Sequence, residues 1–261
     1  MKQIAHKPTE RVLNILELLS NNPEGLTLTE IAETIQSPKS TIYPIIQTML
    51  ERQFIKLEKS SLKYTIGISA FFIGSSYLRN EYVLEFVKKE MQTIVSQIDE
   101  TCQMGILDHG QVLYVLKEEP KKDMDIRIVS YVGKRLPAYC TALGKALLHN
   151  YDIEEIKMLY PNGLKPMTKN TITDFNILEE QLKEIRKGQI ASETEETTEY
   201  LCCFAVPLVS KNKTIAALSI SIPTFRATED KINQAIQLLQ KAKKKIDHFF
   251  TKMNIEKLTN M

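Results

Sequence analysis

Between Thr27 and Glu51 the sequence holds two short helical patterns separated only by Gln36-Ser37-Pro38, and this closely spaced pair restricts the fold more than any other feature. The first, Thr27 to Ile35, opens with Thr27 and Glu30 at capping-box spacing, where hydroxyl and carboxylate each satisfy an orphan backbone amide. Its Leu28, Ile31, Ala32 and Ile35 share one face. The second runs from about Lys39 to Glu51, with Ile42, Ile45, Ile46, Met49 and Leu50 as its buried side. A further amphipathic helix precedes the pair over residues 9–20, with Thr9 as N-cap and Val12, Ile15, Leu16 and Leu19 in register. Two β-like runs follow, Phe54–Leu57 and Lys63–Ile66, joined by the polar Glu58-Lys59-Ser60-Ser61. Three helices and a hairpin within residues 1–67 make a winged helix-turn-helix.

Beyond Gly67 the pattern changes. The apolar run from Ser69 to Leu78 reads as a connecting helix within residues 68–81, and its stickiness predicts burial against a second copy of the chain. Residues 82–261 then form a second domain. A helix over 82–98 leads into strands at Thr101–Leu107 and Val112–Lys117, with Asp108-His109-Gly110 as the hairpin turn. A strand is predicted at Met124–Ser130, helices at 140–150, 152–160 and 174–187, and strands at Gln189–Glu193, Leu201–Val209 and Thr214–Ile222. A helix from Thr228 to about Phe250 follows. The expected class is α+β, an antiparallel sheet covered by helices in the manner of a sensor domain.

Composition narrows the setting. The 261 residues are 43% hydrophobic and 25% charged, with no run near the roughly 20 apolar residues of a membrane span and no apolar signal-peptide core at the N-terminus. A cytoplasmic location is expected. The four cysteines, 102, 140, 202 and 203, show no CxxC spacing and read as reduced thiols. Net charge is only +2, and residues 1–67 carry eight Lys/Arg against seven Asp/Glu. DNA contact must therefore come from local placement. From Gln36 to Leu50 there is one lysine and no acid. Lys39, Ser40, Thr41, Tyr43 and Gln47 are the polar groups of this helix, with Thr29 on the helix before it. Gln47 suits adenine, and Lys39 suits guanine or phosphate. Lys59 and Lys63 on the wing are candidates for phosphate, although solvated lysines on hairpins are commonplace.

Several runs resemble the IclR-type regulators: Arg11 to Leu16, Leu26 to Ala32, Pro38 to Tyr43, Gly133-Lys134-Arg135-Leu136-Pro137, Thr141 to Leu148, Glu195-Glu196, Cys203 to Pro207 and Ala216 to Ser221. The resemblance covers nearly the whole chain, in order. It implies a homodimer or homotetramer on a palindromic double-stranded DNA operator, and a GAF-like or PAS-like C-terminal domain that takes a small organic effector, often a carboxylate or aromatic acid. It also implies a phosphate contact for Arg11, against the alternative of a surface salt bridge near Glu10 or Glu17. The effector positions it assigns here are Ile128, Leu136, Ala142, Leu143, Glu193, Leu201, Cys203, Ser219 and Ser221. Plain core is the rival reading for Ile128, Leu136, Ala142 and Leu201, and solvent exposure for the two serines. Amides around Ala142-Leu143-Gly144 would suit a carboxylate, whereas Glu193 would repel a bare anion unless protonated. This chain departs from the family in Pro44, where an arginine is usual, and in Tyr200, where a glycine is usual. An interior proline costs a helix about 3 kcal/mol, less if the helix begins close before it. Tyr200 is expected to add bulk beside the pocket.

Two other classes bear on the chain. For an enzyme, Gly144-Lys145 lacks the earlier glycine and the Ser/Thr of a phosphate loop, and no GxSxG or HExxH occurs. Histidines 6, 109, 149 and 248 form no pair with Cys203, so no catalytic residue, metal ligand or cofactor is expected. The second is a metal- or redox-responsive regulator sensing through Cys102, Cys140, Cys202 and Cys203.

Overall fold

The computed structural model describes residues 6–75, 81–121 and 130–258, and the chain divides into two compact units, Met1–Arg79 and Asn80–Met261. In the first, α1 (Lys7–Ser20) starts two residues before the predicted cap. Pro8 fits this first turn because its missing amide would have had no partner there. Thr9 therefore lies inside the helix rather than capping it, with its hydroxyl 2.9 Å from His6 Nδ1. A two-residue strand that the sequence had not suggested, β1 (Leu26–Thr27), precedes α2 (Leu28–Thr34). The capping box forms as predicted: Glu30 N donates to Thr27 Oγ1 at 3.3 Å, and Thr27 N donates to Glu30 Oε2 at 2.7 Å. Next come α3 (Lys39–Glu51), β2 (Ile55–Glu58) and β3 (Lys63–Ile66), and β3 pairs with both other strands. Ile15, Leu19, Ile31, Ile42, Ile46 and Ile55 are all 1% exposed or less and lock the three helices onto the hairpin. Fully burying each such side chain contributes about 1.5–3 kcal/mol.

The helix α4 (Ile68–Ser75) follows Gly67, where a Cβ would come within 2.2 Å of the Gln53 carbonyl oxygen. Residues 76–78 of the predicted connecting helix lie outside the described residues. Ile68, Phe71 and Phe72 of α4 are exposed.

In the second unit α5 (Glu81–Ile98) precedes the hairpin of β4 (Thr101–Asp108) and β5 (Gln111–Glu118). His109 and Gly110 both take positive φ, 48° and 77°, the requirement of a tight type I′ hairpin turn. Then come β6 (Arg135–Pro137), a 3-10 turn at Ala138–Cys140, α6 (Ala142–Leu148), α7 (Ile153–Leu159) and α8 (Phe175–Arg186). The chain continues through β7 (Ala191–Thr194), β8 (Leu201–Ser210), β9 (Lys213–Pro223) and the long α9 (Glu229–Lys252). Residues 124–129 of the predicted strand Met124–Ser130 lie outside the described residues, and Ser130 is in no strand. The three-residue β6 was too short to be read from alternation.

The strands form one antiparallel sheet in the order β6-β5-β4-β9-β8-β7. Successive side chains alternate between its faces. Cys102, Met104, Cys202, Val206, Leu218, Ile220 and Ile222 pack with α5 and α9, whereas Ala191, Ala205 and Ala217 pack with α6, α7 and α8. The small residues on the second face let α6 approach closely. At Gly144 that approach is tight, since a Cβ there would lie 2.0 Å from the Ala138 carbonyl oxygen.

Candidate functional site

In the first unit the candidate DNA contacts fall on a solvated surface. Lys39, Ser40, Thr41, Tyr43 and Gln47 of α3 and Thr29 of α2 are all exposed. Ser40, Tyr43 and Gln47 share one face by helical spacing. The helix begins at Lys39, so Pro44 lies in its second turn, and Lys39–Glu51 is a single helix. Pro44 cannot donate to the Ser40 carbonyl, but Ser40 and Pro44 both stand in solvent, which limits the cost. Arg11 does something neither reading of it expected: its Nε donates to the buried Ser37 Oγ at 2.8 Å, bracing α1 against the turn between α2 and α3. Lys59 is exposed at the β2–β3 turn. Lys63 is half-buried in β3, opposite Glu58, and its charge adds to the Thr27 amide and hydroxyl in holding the Glu30 carboxyl below its usual range.

In the second unit Leu136, Ala142, Leu143, Glu193, Leu201, Cys203, Ser219 and Ser221 line one cavity. Ile128 lies outside the described residues. The free volume is about 30 Å3, room for one or two waters. Strand register explains the convergence. Glu193, Cys203, Ser221 and Thr101 stand directly opposite one another across β7, β8, β9 and β4, and Ala205, Ser219 and Gln103 form the next row. Directly paired residues point to the same face. Solvent exposure of the serines is therefore excluded, each being 2% exposed.

The cavity is polar, and several of its groups are partnered. Glu196 N donates to Glu193 Oε2 at 2.9 Å, and the Cys203 thiol pairs with Ser221 Oγ at 3.2 Å. Burial pushes the Glu193 carboxyl up to about 7, against the opposing pull of hydrogen bonds from Cys203 and the Glu196 amide. Gln103 Nε2 donates to Ser130 Oγ. Thr141 caps α6, its Oγ1 accepting from Gly144 N at 2.9 Å. This removes one of the amides that the sequence had offered to a carboxylate.

Gln103, Tyr114, Ser130, Thr141, Thr197 and Thr198 also line the cavity and were not singled out from sequence. The alternation of the Thr101–Leu107 strand could have exposed Gln103; for the loop residues no local signal exists. A larger omission is Lys145. Its ammonium is wholly buried, donating to Glu196 Oε1 and, at 3.3 Å, to the Ser192 carbonyl. The Glu196 carbonyl in turn accepts from Thr171 Oγ1 at 2.6 Å, so the ion pair ties α6 to two loops. A lysine set among six buried apolar residues of α6, followed later by an acidic doublet, was the available sign.

Tyr200 corrects its expectation. Its ring is 62% exposed and does not line the cavity. What the position requires is a left-handed backbone, φ +62°, which a glycine adopts without penalty and a tyrosine does not. The cysteines do not gather. Cys102 and Cys202 lie on the face toward α5 and α9, and Cys140 and Cys203 on the other. Burial pushes the Cys140 thiol up to about 12 and Cys202 to about 11, with Cys102 and Cys203 also raised. Thiolates are the reactive and metal-binding form, so these environments work against a cysteine sensor. Among the described residues no group of three His, Cys, Asp or Glu is placed to hold a metal ion, and no helix is long and apolar enough to cross a membrane.

Residues 8–58 match the family model described as the IclR helix-turn-helix domain, and residues 75–248 match bacterial transcriptional regulator IclR C-terminal. The chain is 32% identical over 238 residues to the HTH-type transcriptional regulator KdgR of Escherichia coli, covering 90% of this chain and 89% of that protein. An IclR transcriptional regulator from Alicyclobacillus acidocaldarius superposes with a TM-score of 0.81 at 25% identity, covering 93% of this chain and 98% of the other. An IclR homologue from Microbacterium hydrocarbonoxydans, solved in complex with 4-hydroxybenzoate, shares the fold with a TM-score of 0.78 at 20% identity, covering 92% and 98%. A winged helix-turn-helix, an antiparallel-sheet domain with an internal polar cavity, and these matches together place the chain in the IclR family of DNA-binding transcriptional regulators.

Proposed function

We propose that this chain is a cytoplasmic repressor whose hold on a palindromic operator is set by a small organic acid bound in the cavity of the second unit. The observation that carries the reading is the convergence of eight residues, distant in sequence, on one buried cavity with a polar row across four strands. Apolar walls exclude water there, while Gln103, Ser219 and Ser221 orient a ligand. A carboxylic, hydroxy or aromatic acid suits this lining. The 4-hydroxybenzoate bound by the Microbacterium homologue is one such acid. The free volume holds only one or two waters, so each of these acids requires the walls to part.

Base contacts fall to Lys39, Ser40, Thr41, Tyr43 and Gln47 from the exposed face of α3, with Thr29, Arg11, Lys59 and Lys63 toward phosphate. A palindrome requires two copies, and the exposed apolar residues of α4 favour a homodimer or a homotetramer built from it. Repression is the simplest sign, because occupancy alone blocks a promoter. The test is a thermal-shift screen of the full chain with acetate, glycolate, L-lactate, pyruvate and 4-hydroxybenzoate. A ligand at 100 times its Kd adds about 2.7 kcal/mol to stability. The same acid must then change operator affinity, because coupling between two sites is reciprocal. Binding of none of these acids, or binding without any change in operator affinity, would sink the reading.

A further inference from the structure

The charge inside the cavity is unusual for a site that takes an acid, and it carries an inference resting on the effector reading above. Glu193 is 5% exposed and lines the cavity. Its Oε2 is occupied by the Glu196 amide, and the Cys203 thiol reaches the same carboxyl. Among the described residues the ammonium that bears on it is that of Lys145, and this is already bonded to Glu196. The remaining described ionisable groups around it are neutral at pH 7. Tyr114 from β5, Cys140 from the turn before α6, and Cys202 and Cys203 from β8 all have burial holding their protons on. Among the described residues the cavity therefore contains one compensated ion pair and one carboxyl with no cation bonded to it. A carboxylate ligand placed beside an ionised Glu193 would set two like charges together in a buried site that bulk water does not screen.

We propose that a carboxylate effector enters this cavity together with one proton from solvent, taken up by Glu193, so that the complex holds a neutral Glu193 carboxyl against the anionic ligand. The balance is simple: ligand anion plus one proton in, no bond broken. The neutral carboxyl supplies an O–H donor where the ionised one could only repel. Uptake costs little near neutrality, because burial has already pushed the Glu193 carboxyl up to about 7. At that value only a twofold loss of apparent affinity separates the neutral-pH protein from the fully protonated one. Effector response thus becomes pH-dependent, stronger as the surroundings acidify.

The test is isothermal titration calorimetry of the full chain with the five acids named above, run at pH 8 in phosphate and in Tris. These buffers differ in ionisation enthalpy, so proton uptake appears as a difference in observed heat. The proposal expects close to one proton per ligand at pH 8 and an affinity about tenfold weaker at pH 8 than at pH 6. Each acid stays ionised throughout that range, so the slope belongs to the protein. A Glu193→Gln chain should show no such slope, whatever its affinity. If that variant fails to fold, the two-buffer measurement on the unaltered chain decides alone. Binding without proton uptake, or a Glu193→Gln chain that keeps the slope, overturns this inference and leaves the effector reading intact. Binding of none of the five acids overturns both.

Discussion

On α3 the polar residues Lys39, Ser40, Thr41, Tyr43 and Gln47 stand in solvent, whereas in the cavity of the second unit Gln103, Glu193, Ser219 and Ser221 are 3%, 5%, 2% and 2% exposed. The two regions serve recognition by opposite means. The helix presents side chains that water already satisfies, and its apolar stripe of Ile42, Ile46 and Met49 supplies its stability independently. In the cavity the recognising groups belong to the fold, and each must find a partner from within it. Substitutions on α3 should therefore change specificity at constant stability, and substitutions in the cavity should alter both.

The largest effect that would break this contrast is at Lys145. Replacing it with alanine leaves Glu196 buried without its counter-charge, and such losses cost about 3–5 kcal/mol. Urea denaturation of the full chain, followed by a probe in the second unit, measures it. A change below 1 kcal/mol would mean that the ion pair is not part of the frame of the cavity.

Next is Glu193. Its carboxyl lies at about 7 in the folded chain against an ordinary value near 4.5, so between these two pH values the folded state binds the extra proton. Stability must then fall as pH rises through that window, by on the order of 3 kcal/mol in total, and level off above pH 7. Glu193→Gln cannot ionise and should be more stable than the unaltered chain at pH 8, with the difference vanishing near pH 4.5. Parallel denaturation curves at the two pH values check this; equal differences at both would contradict it.

The smallest effect belongs to the exposed helix. Gln47→Ala should lower discrimination between operator and unrelated DNA by about 1–3 kcal/mol while stability moves by less than about 0.5 kcal/mol. A loss of stability without a loss of discrimination would place Gln47 with the structural residues instead.

Much of this was readable in advance, for reasons that differ by element. The capping box at Thr27 and Glu30, the stripes of α1 to α3, and the hairpin turn at His109-Gly110 rest on interactions between residues a few positions apart. Single strands of two or three residues, such as β1 and β6, carry too little alternation to be seen. The resemblance to a family supplied eight cavity residues without saying what held them together. The rows that join Glu193 to Cys203, Ser221 and Thr101 depend on strand register, which is set across gaps of tens of residues.

Local pattern thus determined the helix-turn-helix, its acid-free recognition helix and the α+β class of the second unit, because periodicity and capping act over one or two turns. Tertiary structure alone decided the charge state of the cavity. It brought Lys145 to Glu196 across some fifty residues, buried Glu193 with no cation among the described residues bonded to it, and turned Tyr200 outward on a left-handed backbone. Burial and pairing are properties of the packed chain, and no spacing of residues encodes them directly.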